Sequence, residues 1–470
     1  MGLFDRHAGL LDAYRDVRTT GYDPFQIRME RVLSPTEAII NGRKTLLVGT
    51  NNYFGLTFDP SCIDAAIEAI RAEGTGTTGS RIANGSYTEH VLLEQEIAEF
   101  YGKKHCMVFT TGYQANLGLI STLAGEGDHL LIDADSHASI YDACKMTQAE
   151  VVRFKHNEPA SLEARLRRLG DRPGNRVVVL EGIYSMLGDS APLREFIDVC
   201  RKYGAYVLVD EAHSLGALGE TGRGLCESTG VIDDCHFIVG TFSKTLGAIG
   251  GYCVSDDPDF DILRVTVRSY MFTASLPPSV VASVRQALRV VKARPELRTQ
   301  LWSNVATLYD GLAARGFKLG PEHGPVVGVH LPDRMTAIGF WRAMLDAGIY
   351  VNVAVPPATP NGVSLLRCSV CAVHTPEQLQ HMIDVMSGIA RQMGVIGRRT
   401  IGTERHLARY TIAVGVLRHR AGHDSGAHRV EGGRGAHAGC AVDQHHVAAR
   451  ESRQHPRGVD VHSDGKAGSP

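Results

Sequence analysis

The 470-residue sequence lacks the features that direct a chain into a membrane, onto nucleic acid or into a disulfide-forming compartment. It contains no uncharged apolar run of bilayer-spanning length, and its first residues carry charges at short intervals where a signal peptide has an apolar core. The formal net charge of -2 gives no general attraction to polyanions. The ten cysteines are scattered, as is typical of reduced thiols. These absences predict a cytoplasmic protein with at most a peripheral contact with the inner membrane.

The middle of the chain alternates short apolar segments with amphipathic ones. From about residue 105, segments of strand length such as CMVFT, HLLID, RVVVLEG and YVLVDEA are separated by helical patterns such as YQANLGLISTLA and PLREFIDVCRKYG. This alternation is typical of parallel βαβ units with both sheet faces covered. We therefore predict an α/β fold with a mostly parallel central sheet, and a binding site at the carboxyl ends of its strands.

Changes of pattern divide the chain into four segments. We predict an N-terminal segment over residues 1–50, a large domain over 51–280 and a smaller α+β domain over 281–397, which follows a Pro-Pro break. Residues 398–470 hold nine of the 21 histidines and no Phe, Trp or Met. Their histidines have no regular ligand spacing, so we expect a disordered tail and no metal site. A shifted reading frame would produce the same composition.

One glycine-rich motif resembles a dinucleotide fingerprint. GTGTTG, at residues 74–79, fits the pattern G-x-G-x-x-G, which requires a strand before it and a helix opening on it. The preceding CIDAAIEAIRAEG predicts a helix instead of a strand. We therefore expect a flexible loop close to the active site, where glycine permits close backbone approach.

A single lysine stands among small residues in TFSKTLGAIGG, at residues 241–251. The ordinary interpretation of Lys244 is a solvated loop lysine. The alternative is an amine that loses its charge and reacts, because crowding and desolvation lower the pKa of a lysine. The polar residues at the other predicted strand ends favour the second interpretation.

Further polar groups follow the neighbouring predicted strands: Asp210 and His213 in VLVDEAHS, and His137 in DADSHAS. Each of these residues alone could be a helix cap, but helix capping does not readily explain all of them together with Lys244. A reactive lysine, a strand-end carboxylate and a histidine that can lie flat are what pyridoxal 5'-phosphate (PLP) requires. Gly112 and Tyr113 follow another strand at the start of a helix, where backbone N–H groups favour a phosphate.

The motifs around these residues resemble those of a known family. From about Tyr22 to Gly397 the chain resembles the α-oxoamine synthases, which are PLP-dependent transferases of fold type I. Within that family it is most similar to the soluble bacterial members that condense L-serine with palmitoyl-CoA. The resemblance rests on GTNNYFGLTFDP, GTGTTGSRIANGSYTEH, DADSHASIYD, LEGIYSMLGD, VDEAHSLGALGETGRG, GTFSKTLGAIGG, FTASLPPS and PPATPNGVSLLRCS.

The resemblance implies how the residues meet the cofactor. Lys244 would be the Schiff-base lysine and Asp210 would pair with the pyridine nitrogen. His213 would bond the phenolic oxygen of the ring, and His137 would stack on the ring and help to orient the substrate carboxylate. The implied catalytic set is Lys244, His137, Asp210 and His213, and the cofactor-binding set adds Gly112, Tyr113, Ser185, Thr241, Ser243, Thr273 and Ala274.

The resemblance also implies the reaction and the partners. The expected activity is the decarboxylative condensation of L-serine with palmitoyl-CoA to 3-oxosphinganine, CoA and CO2, the first step of sphingolipid biosynthesis. Asn52 and Arg367 match positions that handle the amino-acid carboxylate, and Ser80 and Arg81 lie in the loop associated with acyl-CoA binding. The family site lies at a homodimer interface, so FTASLPPS would reach the phosphate bound by the other subunit.

Two residues depart from the pattern of the serine-specific members and leave alternatives open. Val355 stands where an arginine precedes PPATP, and Asn51 stands where a tyrosine precedes the substrate asparagine. Other family members join alanine to a pimeloyl thioester, as 8-amino-7-oxononanoate synthase does, or glycine to a short acyl-CoA, as glycine C-acetyltransferase does. Broader alternatives are a fold-type I aminotransferase and a catalytically silent partner subunit, and the intact Lys244, Asp210 and His137 argue against the silent subunit.

Overall fold

Three sheets organise the computed structural model, which describes residues 2–397 except 20, 22, 24, 25 and 357. The tail that we expect over residues 398–470 lies outside the described residues. The strands are β1 (Met29–Ser34), β2 (Glu37–Ile40), β3 (Arg43–Leu47), β4 (His105–Phe109), β5 (His129–Asp133), β6 (Glu150–Phe154), β7 (Arg176–Glu181), β8 (Tyr206–Asp210), β9 (Phe237–Thr241), β10 (Gly251–Ser255), β11 (Val326–Leu331), β12 (Ile349–Tyr350), β13 (Asn352–Ala354) and β14 (Ser364–Ser369).

Helices connect most of these strands. None in the described part of the chain is long and apolar enough to cross a membrane. The helices are α1 (Ala8–Thr19), α2 (Pro60–Glu73), α3 (Thr88–Tyr101), α4 (Gly112–Leu123), α5 (Ala138–Met146), α6 (Pro159–Leu169), α7 (Leu193–Lys202), α8 (Leu225–Ser228), α9 (Leu263–Thr266), α10 (Arg268–Met271), α11 (Pro278–Ala293), α12 (Glu296–Ala313), α13 (Arg334–Asp346) and α14 (Pro376–Gln392).

The largest sheet has seven strands in the order β4-β10-β9-β8-β7-β5-β6. Neighbours from β6 to β9 run parallel, and β10 runs antiparallel to both β9 and β4. The predicted mostly parallel central sheet is therefore confirmed. The central residues of its inner strands are apolar and buried, as is typical of a sheet that helices cover on both faces.

Alternate side chains of these strands enter two separate cores. Leu130 and Ile132 of β5 pack with Leu119 of α4 in one core. Leu131, between them in the sequence, packs in the other core with Leu166 of α6. Because successive side chains of a strand point to opposite faces, one apolar run serves both layers. The strands are thereby fixed, and their carboxyl ends form a rigid edge.

Two smaller sheets flank this unit. β1, β2 and β3 form an antiparallel meander, and β12 adds to it in parallel through the pair Ile349 and Leu46. β11, β14 and β13 form an antiparallel sheet. The division into domains at residues 50, 280 and 397 stays a prediction. GTGTTG directly follows α2, so the element before it is a helix and not a strand, as its sequence context predicted.

Candidate active site

Lys244 lies in the turn that follows β9, at the carboxyl edge of the large sheet. Its carbonyl accepts a hydrogen bond from the N–H of Gly247 at 3.0 Å, which closes the turn. The surrounding protein lowers the pKa of the half-buried Lys244 to about 8. Desolvation is the main cause. Asp210 and Glu181 oppose it and the Arg367 guanidinium reinforces it. The amine can therefore lose its proton near neutral pH.

Asp210 ends β8 next to this turn. It is buried, and Oδ2 accepts a hydrogen bond from Asn116 Nδ2 at 2.6 Å while Oδ1 accepts one from the N–H of Ala212 at 2.8 Å. Asn116 lies on α4 and also donates to Ser139 Oγ on α5 at 3.0 Å. Two helices thus fix the direction of the carboxylate.

His137 caps α5 at the end of the loop that follows β5. Its N–H donates to Glu181 Oε1 at 2.5 Å, and its Nδ1 lies 2.8 Å from Ser139 Oγ. Burial lowers the pKa of the ring, and the nearby Lys244 acts in the same direction while Asp210 opposes it. The imidazole is therefore neutral at physiological pH.

His213 follows Asp210 and pairs with a tyrosine. Its Nδ1 lies 2.6 Å from Tyr53 Oη, and both side chains are buried. Burial raises the pKa of Tyr53 to about 12 and lowers that of His213 well below its usual value. The pair is therefore uncharged, and a hydroxyl that donates to Nδ1 leaves Nε2–H of His213 as a hydrogen-bond donor.

Arg367 reaches the same edge from β14. Its guanidinium donates from Nε to the Ser185 carbonyl at 2.5 Å, and from Nη1 to Asn51 Oδ1 at 3.0 Å and to Ser369 Oγ at 3.2 Å. Asn52 beside it donates to Thr57 Oγ1 at 2.7 Å, whereas its buried Oδ1 has no hydrogen-bond partner within the described residues. Both side chains can therefore take a further polar ligand.

A small-residue turn faces the N-terminus of α4. A Cβ on Gly112 would lie 2.8 Å from Thr241 Cβ, so only glycine permits this approach of the start of α4 to the end of β9. Thr241 Oγ1 lies 2.9 Å from Ser243 Oγ, and the first N–H groups of α4 open on the same side. This arrangement of hydroxyls and N–H groups suits an anion. Tyr113, the next residue, is exposed and donates to Asp142.

Four predicted site residues, Ser80, Arg81, Thr273 and Ala274, lie together, and Thr273 Oγ1 accepts a hydrogen bond from Gln114 Nε2 of α4 at 3.4 Å. The N–H of Ser275, next to Thr273 and Ala274, donates to the Gly79 carbonyl at 2.9 Å, and Gly79 precedes Ser80 and Arg81. Within the described residues no hydrogen bond or ion pair links the four to Lys244, Asp210, His137 or His213. Arg81 points inward instead, where its guanidinium binds Glu94 at 2.7 Å.

Three site residues were not predicted from the sequence: Tyr53, Asn116 and Glu181. Glu181 is the last residue of β7 and lies directly beside Asp210 in the parallel pair. Burial, with Asp210 nearby, raises its pKa well above the usual value. A signal existed for it, because an acidic residue ending an otherwise apolar strand is the pattern that identified Asp210.

Comparison with known proteins places this fold and site in a class. The chain belongs to the aminotransferase class I and II family, whose model matches residues 43–386. It is 59% identical over 396 residues to the serine palmitoyltransferase of Caulobacter vibrioides, covering 84% of this chain and 98% of that one. It is 51% identical over 398 residues to the serine palmitoyltransferase of Sphingomonas paucimobilis, covering 84% and 94%.

The solved structures agree. A serine palmitoyltransferase from S. paucimobilis, in a lysine-to-alanine variant with a bound PLP–myriocin aldimine, is 50% identical and superimposes with a TM-score of 0.83, covering 84% of this chain and 100% of that one. Among the sequence relatives, the 8-amino-7-oxononanoate synthase of Geobacter metallireducens is more distant, at 38% identity over 374 residues, covering 78% of this chain and 95% of that one. The resemblance to the α-oxoamine synthases that the motifs predicted is confirmed.

Proposed function

We propose that the protein is a serine palmitoyltransferase, which uses PLP to condense L-serine with palmitoyl-CoA to 3-oxosphinganine, CoA and CO2. The observation that carries this proposal is the convergence of Lys244, Asp210 and Arg367 on one sheet edge, in a chain that is 59% identical to a serine palmitoyltransferase. The alternative reaction of 8-amino-7-oxononanoate synthase belongs to relatives of lower identity.

The residues present fit PLP. The aldehyde needs an amine that loses its proton near neutral pH, and the pKa of Lys244 is lowered to about 8. The pyridine nitrogen needs a fixed carboxylate, and Asp210 is held by Asn116. The phosphate needs a narrow turn rich in donors, and the approach of Gly112 to Thr241 forms one. When bound, PLP supplies an aldehyde that captures an amino group and a ring that takes up the electrons released at the substrate Cα.

The Lys244 amine would move the proton of the reaction. A general base works best when its pKa lies near the operating pH, and a pKa of about 8 satisfies this condition. At neutral pH the amine can accept a proton from the substrate Cα and later return it. Asp210 would face the pyridine nitrogen, and the Nε2–H of His213 would donate to the phenolic oxygen.

Arg367 would bind the carboxylate of the amino acid. An arginine has five N–H donors, and the bonds to Ser185, Asn51 and Ser369 leave donors for a carboxylate. The neutral ring of His137 would complete the pocket, and the free Oδ1 of Asn52 would accept from an N–H or O–H group of the amino acid. Val355 packs against the apolar core, so Arg367 would serve without a second guanidinium.

The acyl-CoA site and the dimer are further parts of the proposal. Because Glu94 engages the Arg81 guanidinium, the backbone and the hydroxyl of the Ser80 loop would meet the acyl-CoA. Phe272 is 67% exposed, and Ile249 and Ile262 are exposed as well. The exposed Phe272 directly precedes Thr273 and supports a homodimer in which Thr273 and Ala274 reach the partner's phosphate. The protein would act in the cytoplasm, with peripheral membrane contact.

A substrate panel tests the proposed function. The PLP-loaded protein is given L-serine, L-alanine or glycine with acyl-CoAs from short to long, and the products are weighed by mass spectrometry. We expect 3-oxosphinganine from L-serine and palmitoyl-CoA as the dominant product. Dominant turnover of alanine with a pimeloyl thioester would indicate an 8-amino-7-oxononanoate synthase instead. Release of a keto acid without CO2 would indicate an aminotransferase.

A further inference from the structure

A charged cluster beside the site has no part in the mechanism described so far. His156, just after β6, lies between two carboxylates: Nδ1 is 2.8 Å from Asp133 Oδ1, and Nε2 is 2.7 Å from Asp189 Oδ2. The side chain of Asp133 is fully buried, and that of Asp189 is 9% exposed. Both ring nitrogens face oxygen atoms that only accept, so both carry a proton and the ring is an imidazolium.

The other groups around the ring are consistent with this charge. Asp135 Oδ2 lies 3.9 Å from Nδ1, and the Tyr184 ring meets the imidazole edge-on with centroids 4.5 Å apart. Burial lowers the pKa of His156, but the bonds to Asp133 and Asp189 overcome it and raise the pKa to about 10. Asn157 supports the contact by donating to Asp189 Oδ2 at 2.8 Å.

The two carboxylates belong to the two loops that carry predicted site residues. Asp133 ends β5, and its carbonyl accepts a hydrogen bond from Ser136, which precedes His137. Asp189 closes the loop after β7, where its carbonyl accepts the N–H of Tyr184 at 2.8 Å. The imidazolium therefore joins the loop of His137 to the loop that contains Ser185.

The second loop leads directly to Arg367. The Ser185 carbonyl accepts a hydrogen bond from Arg367 Nε at 2.5 Å, which makes it one of three oxygen atoms that hold the guanidinium. If the loop shifts, this bond to a charged donor weakens and the guanidinium can turn away from the substrate. Such bonds are stronger than neutral ones and set direction as well as energy.

We propose that His156, held between Asp133 and Asp189, is a positioning residue that fixes the Ser185 loop and thereby aims Arg367 at the carboxylate of the amino-acid substrate. This inference rests on the proposed function only in taking Arg367 as the group that binds the carboxylate. It assigns His156 no contact with substrate or cofactor.

The variant His156→Gln tests the inference in the PLP-loaded enzyme. Its amide can serve one carboxylate but not both, so the Ser185 loop loses one of its attachments. We expect the dissociation constant of L-serine, measured by spectral titration, and the KM for L-serine to rise about tenfold, with kcat changing less than about threefold. In an Arg367→Lys background the same substitution should change the dissociation constant by less than about twofold, because the two residues act as one unit.

The matched control is His129→Gln. His129 is also buried and begins β5, the strand that Asp133 ends. Its Nδ1 lies 3.1 Å from Glu150 Oε2, and its Nε2 lies 3.2 Å from the Pro173 carbonyl oxygen. We expect serine binding in this variant to stay within about twofold of the wild type. An unchanged dissociation constant in folded His156→Gln, an equal rise in His129→Gln, or an equal rise in the Arg367→Lys background would overturn the inference.

Asp189→Asn carries the test if His156→Gln does not fold, since it keeps the shape and removes one charge. It should weaken serine binding about threefold, and no change would contradict the inference. If the substrate panel selects glycine or alanine instead of serine, the same titrations are made with that amino acid. In that case the proposed function has failed, but these titrations still show whether His156 positions Arg367.

Discussion

Two lysines lie at opposite ends of the large sheet, and they differ in their partners. Lys103, just before β4, has a buried side chain whose Nζ binds Asp256 Oδ2 at 2.9 Å. Lys244, just after β9, has no carboxylate oxygen within 4.0 Å of its Nζ among the described residues. Its pKa is lowered to about 8, mainly by desolvation. The same side chain is thus a structural cation at one end and a candidate nucleophile at the other.

The difference lies in the distance to the nearest carboxylate. Asp256 forms a direct ion pair, which offsets the desolvation of the Lys103 ammonium group. Asp210 raises the pKa of Lys244 from farther away, while its own oxygens are occupied by Asn116 and Ala212. A carboxylate that is directed elsewhere leaves the amine desolvated but not paired. Lys244 at the carboxyl end of the sheet therefore lowers the free energy of unfolding, whereas the paired Lys103 at the other end does not.

The largest expected effect separates the two lysines by activity. Lys244→Ala should lower kcat about 10⁴-fold, because the base for the Cα proton and the attachment point of PLP are both lost. Lys103→Ala should keep activity within about twofold, since among the described residues its ammonium group pairs with Asp256 and not with a residue of the candidate site. The measurements are steady-state kinetics and the mass of the peptide that borohydride labels with PLP. Turnover in Lys244→Ala, or a label at another lysine, would contradict the assignment.

The next largest effect is expected for the carboxylates near the two lysines, Asp210 and Asp256. Asp210→Asn keeps the shape and can still accept from Asn116, but it loses the charge that holds a proton on the pyridine nitrogen. We expect kcat to fall about 10³-fold while PLP still binds. Asp256→Asn, the matched change at the Lys103 end, should leave kcat within about twofold. Absorbance spectra verify PLP occupancy, and equal losses in the two variants would show that Asp210 has no special role.

The sequence predicts the Lys244 end of the sheet better than it predicts the contacts there. Asp210 ends a buried strand, Lys244 and His137 follow others, and parallel strands bring such positions to one edge whatever the surrounding side chains are. Local pattern was therefore sufficient to predict the sheet and the cluster. It was also sufficient to exclude a dinucleotide loop at GTGTTG, because the preceding helix α2 is amphipathic.

The side-chain partners depend on residues far apart in the sequence. Asn51 accepts from Arg367 across 316 residues, and His156 meets Asp189 across 33. No local pattern encodes these contacts, since they require the final placement of separate loops. Arg81 shows the same limit, because its position in the loop suggested an acyl-CoA contact while Glu94 on α3 turns its guanidinium inward.

The smallest expected effect is on the free energy of unfolding, which the desolvated amine of Lys244 lowers. The folded amine releases its proton near pH 8 and the unfolded amine near 10.5, so burying the charged amine costs stability below pH 8. This cost shrinks as the pH rises and vanishes near 10.5.

Lys244→Met should therefore stabilise the PLP-free protein by roughly 1–3 kcal/mol at pH 7, with less gain at pH 10. Lys103→Met should destabilise it by about 1 kcal/mol, because Asp256 loses its partner. Urea unfolding of both variants without PLP removes the contribution of cofactor binding. A loss of stability in Lys244→Met at pH 7, or a gain that does not shrink with pH, would mean that desolvation does not lower the pKa of this amine.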